Sequence, residues 1–357
     1  MPGRRTSGLC KPIEPRVGMS DVCVYCSEVR LSVIIPATDE PPTLEEALSA
    51  IRAAADPPEE IIVIDHPRRL GASAARNTGG TDAMGDVLVF IDADVAVAPD
   101  VFTRIRAHFA EDPELTAVFG AYDDDPSDRS IVSSFRNLLH HHVHRGSPGR
   151  ASTFWSGIGA VKQSAFMEVE GFDEHYGRPS IEDIELGARL LDNGANIVLD
   201  PDIEGKHLKT WSLRDMVATD ILRRGAPWIA LILRQRAIPS TLNLGWRHRL
   251  SALMCLFAIV FASMSYWSLA AMSMVIFLGL NWRFYLLLIT HRGPVFAIAG
   301  PTLHALHHVS AIVSVPIGVG QHLRKPRPLQ VDPLPPAPRP IDGTSAAGDD
   351  RTVAATR

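Results

Sequence analysis

An α/β fold is predicted, with a parallel half-sheet early in the chain and an apolar helical region late in it. Three features predict this. Val87-Leu88-Val89-Phe90-Ile91 is an unbroken apolar run that ends on Asp92 and Asp94, and β-branched and aromatic runs of this kind mark strands buried on both faces. Two similar runs precede it, at residues 31–36 and 61–64, with helical spacing between them; strand, helix, strand, helix, strand is the βαβαβ pattern, whose crossovers are right-handed. Finally, no charged residue occurs from Leu250 to Leu280.

Each element follows from local chemistry. Leu31-Ser32-Val33-Ile34-Ile35-Pro36 reads as a strand closed by proline. Thr43, with Glu46 three residues on, reads as a helix cap, and Leu44, Ala47, Leu48 and Ile51 recur at helical spacing. Ile61-Ile62-Val63-Ile64 ends on Asp65, and residues 70–83 read as a loop and helix. A helix from Pro99-Asp100 through Phe109, a strand at 117–120, a helix from Gln163 to about 172–174 and a late strand at 197–201 complete the domain. Asp123-Asp124-Asp125 reads as a solvated turn beside Pro126. Neighbouring histidines at 140–144 would fan out on a helix rather than converge on one metal, so a loop or membrane-surface contact is expected for them. Ser180 is placed to cap the helix that Glu182 and Asp183 open.

Asp92 and Asp94 lie two apart at a strand end, where side chains point the same way and open α/β sheets bind ligands. Buried carboxylates there call for a cationic partner; the alternative is a turn or helix cap. The order Val33-Ile34-Ile35-Pro36-Ala37-x-Asp39-Glu40, Asp65, Gly71-x-x-x-Ala75-Arg76-Asn77, Phe90-Ile91-Asp92-Ala93-Asp94, Ser156-Gly157, Gly171-Phe172-Asp173-Glu174 and Glu182-Asp183 resembles family-two glycosyltransferases of the A-type (GT-A, Rossmann-like nucleotide-diphospho-sugar transferase) fold, over about residues 31–230.

The resemblance implies an inverting transfer from a UDP- or GDP-sugar, aided by Mg²⁺ or Mn²⁺. Pro36 and Ala37 would border the base; Glu40 and Asp65 would accept hydrogen bonds from uracil and ribose, Asp65 alternatively being a cap. Arg76 would reach phosphate or form an ion pair. Asp92 would touch ribose or metal-bound water, and Asp94 would bind the metal, an oxygen-seeking hard cation. His207 would complete the metal site or simply pack, and Lys206 and Lys209 would meet diphosphate. Asp183 would be the general base, with Glu182 supporting it or binding acceptor; for a phosphate acceptor Asp183 would only orient it. Trp228 is the one match to the Gln-x-x-Arg-Trp motif of processive synthases and would border an acceptor pocket.

Five regions are expected: a weakly ordered leader (1–30), the catalytic domain (31–210), amphipathic interface helices (211–249), a transmembrane region (250–322) and a disordered tail (323–357). Arg214, Arg223 and Arg224 alternate with Leu213, Met216 and Ile221, suiting anionic lipid or a docking helix. Residues 250–280 form one long tilted helix or a hairpin turning at Ser263–Trp267, and with the stretch at 294–319 this gives two to four crossings. Arginines flank every stretch. Residues 1–20 hold no apolar run, so the domain is expected on the cytoplasmic face of the plasma membrane, acting on a lipid or lipid-linked acceptor in cell-envelope or glycolipid synthesis. A net charge of −5 gives no field for nucleic acid. Four cysteines are too few for a disulfide framework, and Cys23-Val24-Tyr25-Cys26 is a lone pair. A processive polysaccharide synthase, or a silent nucleotide-sugar-binding membrane protein, are the competing readings.

Overall fold

A computed structural model describes residues 29–176, 179–235, 242 and 245–324. The leader, with Cys10, Cys23 and Cys26, and nearly all of the tail lie outside these residues.

The three apolar runs form β1 (Leu31–Pro36), β2 (Glu60–Ile64) and β3 (Val87–Ile91). They pair in parallel, in the order β2-β1-β3, and every residue of β3 is buried. The crossovers are α1 (Leu44–Arg52) and α2 (Ala72–Asp82). A methyl group at Gly79 would stand 2.6 Å from the Ile34 side chain, so glycine lets α2 press against β1. The parallel register brings Pro36 opposite Ile64 and leaves Asp65 and Asp92 just past their strands, at one edge of the sheet.

The other half is mixed. β4 (Val95–Val97), α3 (Val101–Glu111), β5 (Leu115–Tyr122), α4 (Ile131–Arg145), β6 (Gly149–Arg150), β7 (Ile158–Lys162), α5 (Gln163–Glu168), α6 (Glu182–Asp192) and β8 (Asn196–His207) follow. β7 runs antiparallel between β3 and β5, β5 pairs in parallel with β8, and β4 and β6 flank β8. The late strand is longer than expected. Its pairing with β5 jumps from Leu199 to Glu204, so Asp200, Pro201 and Asp202 bulge out and the strand resumes. The helix from Gln163 is shorter, because Glu170 and Gly171 take φ of 62° and 68° and turn the chain.

The C-terminal part holds α7 (Leu213–Ala218), a π-helix (Thr219–Gly225), α8 (Ala226–Gln235), α9 (Trp246–Ser263), α10 (Trp267–Leu280), α11 (Trp282–Arg292) and α12 (Phe296–Leu323). The hairpin alternative holds: the chain turns at Met264-Ser265-Tyr266 and α9 and α10 pack together. Phe135, Leu138 and Leu139 of α4 join Met216, Phe277, Phe284, Leu288 and Leu303 in a second apolar core. Of the described helices, α12 alone is long and apolar enough to cross a membrane. The α10–α11 pair qualifies only as a unit and bends by 65°. By length and composition one described helix could cross, or two with the bent pair, which reaches only the low end of the two to four crossings expected.

Candidate active site

The turn between β3 and β4 carries Asp92 and Asp94, and three neighbours fix it. Thr43 does not cap α1 through its side chain; its hydroxyl donates to the Ala93 carbonyl at 2.7 Å. The Asp92 amide donates to the Gly157 carbonyl at 3.2 Å, because β7 lies beside β3. β4 pairs with β8 so that Val95 faces His207, and the Leu208 amide donates to the Asp94 carbonyl at 2.8 Å. Register alone therefore brings His207 to Asp94, with Nε2 3.8 Å from Oδ2. The His207 ring stacks on Tyr122, centroids 4.1 Å apart. Burial and then Lys209 push its pKa down to about 3, so the ring is neutral. Burial raises Asp94, against the pull of Lys209.

Arg76 is 3% exposed and spans two elements. It donates to Asp92 Oδ1 at 2.6 Å and to Glu182 Oε1 at 3.2 Å, and its guanidinium lies 5.3 Å from the centre of the Phe172 ring. Of the two readings of Arg76, the ion pair is the one seen, and it is inward rather than at the surface. Asn77 beside it accepts from the Phe172 amide and donates to the Phe172 carbonyl and Glu174. The Gly71–Asn77 motif thus holds the Gly171–Glu174 segment and the start of α6 against the β3 turn.

Asp183 is buried at the first turn of α6 and accepts from the Ile184 amide at 2.8 Å and the Ser156 amide at 3.4 Å. A methyl group at Gly157 would stand 2.1 Å from the Trp155 ring, so that bend requires glycine. Burial first, then the Glu182 carboxylate, push Asp183 up to about 6. Ser180 does not cap this helix. Ile181 is the capping residue, the Ser180 amide donates to Glu182 Oε2 at 2.7 Å and its hydroxyl donates to the Arg223 carbonyl. Glu182 is therefore occupied by Arg76 and Ser180, as a support for the site.

The remaining expected residues sort by position. Pro36 and Ala37 close β1, and the Ala37 amide donates to the Ile64 carbonyl at 2.8 Å. Glu40 has φ of 52° and pairs with Arg68, while Asp65 is exposed and pairs with His66 at 2.9 Å. Lys206 bonds Asp125 at 3.0 Å, away from Asp94. Lys209 stays close enough to act on Asp92 and Asp94. Trp228 lies half-buried on α8, its indole N–H without an acceptor among the described residues, and no ring contact, ion pair or hydrogen bond links it to the acidic turn. Among the described residues no three His, Cys, Asp or Glu side chains gather to hold a metal ion by themselves. Of Asp94, Asp92 and His207, the structure joins Asp94 to His207 and gives Asp92 to Arg76.

Three contributions had no motif. Arg224, on the π-helix, acts on Asp183, His207 and Tyr122; only its place after the domain could have suggested it. Tyr122 links His207 to Trp155 and His140. The histidines do fan out, but on a buried helix rather than a loop or surface: His140 and His144 pack behind the site on Trp155, and His142 faces Phe284 on the other side. The Asp123–Asp125 turn is partly solvated as expected, with Asp124 exposed, and it also receives His291 and Arg292 from α11.

Comparisons with known proteins bear on this arrangement. The sequence profile described as Glycosyl transferase family 2 matches residues 55–174. Two proteins named pre-mycofactocin glycosyltransferase, from Mycobacterium tuberculosis strains CDC 1551 / Oshkosh and ATCC 25618 / H37Rv, are 29% identical over 168 residues, 44% of this chain and 34% of theirs. The chain thus spans about a third of the length of these relatives. Among solved structures, mannosyltransferase PcManGT from Pyrobaculum calidifontis, in complex with GDP-Man and Mn²⁺, aligns at TM-score 0.47 and 15% identity over 84% of this chain and 88% of its own. GalNAc-T7 with UDP, GalNAc and Mn²⁺ aligns at 0.42 and 15% over 58% and 48%. Residues 55–174, which carry Asp65, Arg76, Asp92 and Asp94, are thus similar to glycosyltransferase family 2.

Proposed function

We propose that this chain is a metal-dependent, inverting glycosyltransferase that moves a sugar from a nucleotide-diphosphate donor to a lipid or lipid-linked acceptor at a membrane face. The observation that carries the reading is the gathering of Asp92, Asp94, Glu182 and Asp183 around Arg76, with His207 brought beside Asp94 by backbone register. Pro36, Ala37, Glu40 and Asp65, on the same sheet edge, are suited to the base and ribose. Lys209, which acts on Asp94, and Arg224, which acts on Asp183, would supply positive charge to a departing diphosphate.

The donor set fits a hard divalent cation. Asp94 is a half-buried carboxylate beside a neutral imidazole at beyond hydrogen-bond distance, with Lys209 and Arg76 acting on it from farther off, and carboxylate oxygen with imidazole nitrogen is a usual set for Mg²⁺ or Mn²⁺. Asp94 and His207 would hold it, and such an ion supplies charge for the departing diphosphate. Arg76 holds Asp92 beside them through its hydrogen bond to Oδ1. Asp183 takes the proton of an acceptor hydroxyl as the sugar carbon is attacked; a phosphate acceptor would need only orientation.

The membrane part of the reading is supported by the α9–α10 hairpin. Met264, Tyr266 and Trp267 at its tip are more than half exposed, as are Met272 and Val275 along α10. α10 has 14 residues, about 21 Å, short of a bilayer core of ~30 Å. The hairpin is therefore read as entering one leaflet and returning. Quenching of Trp267 by brominated lipid in reconstituted vesicles tests this; fluorescence that ignores the lipid would remove the membrane from the reading.

The test of the activity is hydrolysis or transfer of nucleotide sugars by purified protein, followed by lipid extraction. Metal-dependent turnover that disappears in Asp94→Ala supports the catalyst. Donor binding without turnover under all metals would instead indicate a binding protein, and a ladder of products would indicate a processive synthase.

A further inference from the structure

We infer that the cavity between α4 and the base of the α9–α10 hairpin is a phosphate-binding site, separate from the active site. It has a volume of about 250 Å³, and His142, Arg247, His248, Asn281, Phe284 and His304 are among its walls. That is small for a nucleotide sugar, since pockets for larger ligands begin at roughly 300 Å³, and ample for a phosphate group. α4 separates the two sites. His140 and His144 face Tyr122 and Trp155, whereas His142 faces Phe284 and the cavity.

The charge of the walls favours an anion. Arg247 and three histidines line the cavity and no carboxylate does. Burial, then the Arg247 guanidinium, hold His142 down at about 4, so its imidazole is neutral and serves as a hydrogen-bond donor, while Arg247 is the charged side chain of the walls. One wall group is also unsatisfied. His304 is fully buried, its Nδ1 lies 3.1 Å from the Tyr285 hydroxyl, and its Nε2 has no hydrogen-bond partner among the described residues. Buried polar groups without partners are rare and mark a missing ligand or water.

The frame is preformed. Asn281 donates to the Ser251 hydroxyl and the Phe277 carbonyl, each at 2.9 Å, and Arg247 donates to the Leu280 carbonyl. Both legs of the hairpin are thereby tied at the cavity mouth. The donor-bearing side chains of the walls come from α4, α9 and α12 as well as Asn281. Trp246 and Trp282 stand 68% and 56% exposed just outside the two ends of the charge-free segment, the place of an interfacial belt. A phosphate there has two sources, a lipid headgroup or free phosphate. Only the choice between them rests on the membrane reading above.

The full chain in detergent, titrated with inorganic phosphate at constant ionic strength and followed by thermal unfolding, tests the site. The midpoint is expected to rise with phosphate. Arg247→Gln and His142→Asn should each weaken phosphate by roughly tenfold, the worth of one charge-assisted bond, while His207→Asn at the active site should not. Circular dichroism of each variant checks that it folds. Flotation with phosphatidylcholine vesicles, with and without phosphatidic acid, separates the sources. Preference for phosphatidic acid, lost in Arg247→Gln, assigns the lipid; equal flotation with retained phosphate binding assigns free phosphate. No phosphate-dependent shift in the wild type, or an unchanged shift in both cavity variants, overturns the site. Sugar transfer is not measured, so failure here is distinct from failure of the transferase reading.

Discussion

The acidic sheet edge and the C-terminal helices solve opposite problems with polar groups. At the edge, four carboxylates (Asp92, Asp94, Glu182, Asp183) gather around one buried guanidinium, Arg76. In the helices polarity is reversed, with apolar side chains such as Ile259, Trp267 and Ile298 turned outward and His304 and His308 inside. The first arrangement is costly without a cationic ligand; the second is costly without apolar surroundings. Each region thus names the partner it lacks. They meet at one buried joint, where Asp220 of the π-helix accepts from Arg136 of α4 and pairs with His307 of α12, both at 2.7 Å.

The largest expected effect falls at the edge. Asp183→Asn keeps the shape but removes the base, so transfer to a hydroxyl acceptor should fall by about 10²- to 10⁴-fold while donor affinity, read by calorimetry, stays nearly unchanged. Joint loss of both would make Asp183 structural. At the joint, Asp220→Asn orphans Arg136, and loss of one partner of a buried pair costs about 3–5 kcal/mol, visible in thermal unfolding. Burial opposes ionisation of Asp220, but Arg136 and His307 hold its pKa well below the usual carboxylate range. Its contribution is therefore full above that range and lost as pH falls through it. A wild type that melts equally at acid and neutral pH would contradict the joint.

What could be read from the residues follows the same division. The strands at 31–36 and 87–91 and the acidic pair after them were legible because strand burial and strand ends are local properties. The convergence of Asp94 with His207 was a matter of resemblance only: it depends on β4 pairing with β8 across more than a hundred residues. Ser180 and Thr43 were misread as caps because their hydroxyls are spent on long-range partners, the Arg223 and Ala93 carbonyls. In the helices, the turn near Ser263–Trp267 was one of two readings of a charge-free run, since composition does not say where a helix bends. Arg224 was invisible as a site residue, because the π-helix that delivers it has no sequence mark among amphipathic helices.

A smaller effect separates chemistry from folding at Asp183 itself. Its pKa is raised to about 6 by burial and by Glu182, so the charged, active form exists above that value. kcat/KM should fall about tenfold per pH unit below 6 and level off above it. Stability should move the other way: a raised carboxyl pKa favours the folded state at low pH and loses that contribution as pH rises through 6. Asp183→Asn should flatten the stability trend. A rate profile that stays flat from pH 5 to 8 would remove the general-base role.

The smallest effect tests whether the edge is held by hydrogen bonds or only by sheet register. Thr43 joins α1 to the Asp92–Asp94 turn through a single hydrogen bond of 2.7 Å, worth about 1 kcal/mol. Thr43→Val keeps the volume and removes the donor, leaving the Ala93 carbonyl short of one partner. Because α1 takes no side-chain cap from Thr43, the helix itself should be unaffected. The turn, however, should loosen, with kcat reduced about fivefold and thermal stability lowered by about 1 kcal/mol. Thr43→Ser restores the hydroxyl and should restore kcat. Should both variants match the wild type, β3, β4 and β8 register would be holding the acidic turn unaided, and the helix would contribute only its apolar face.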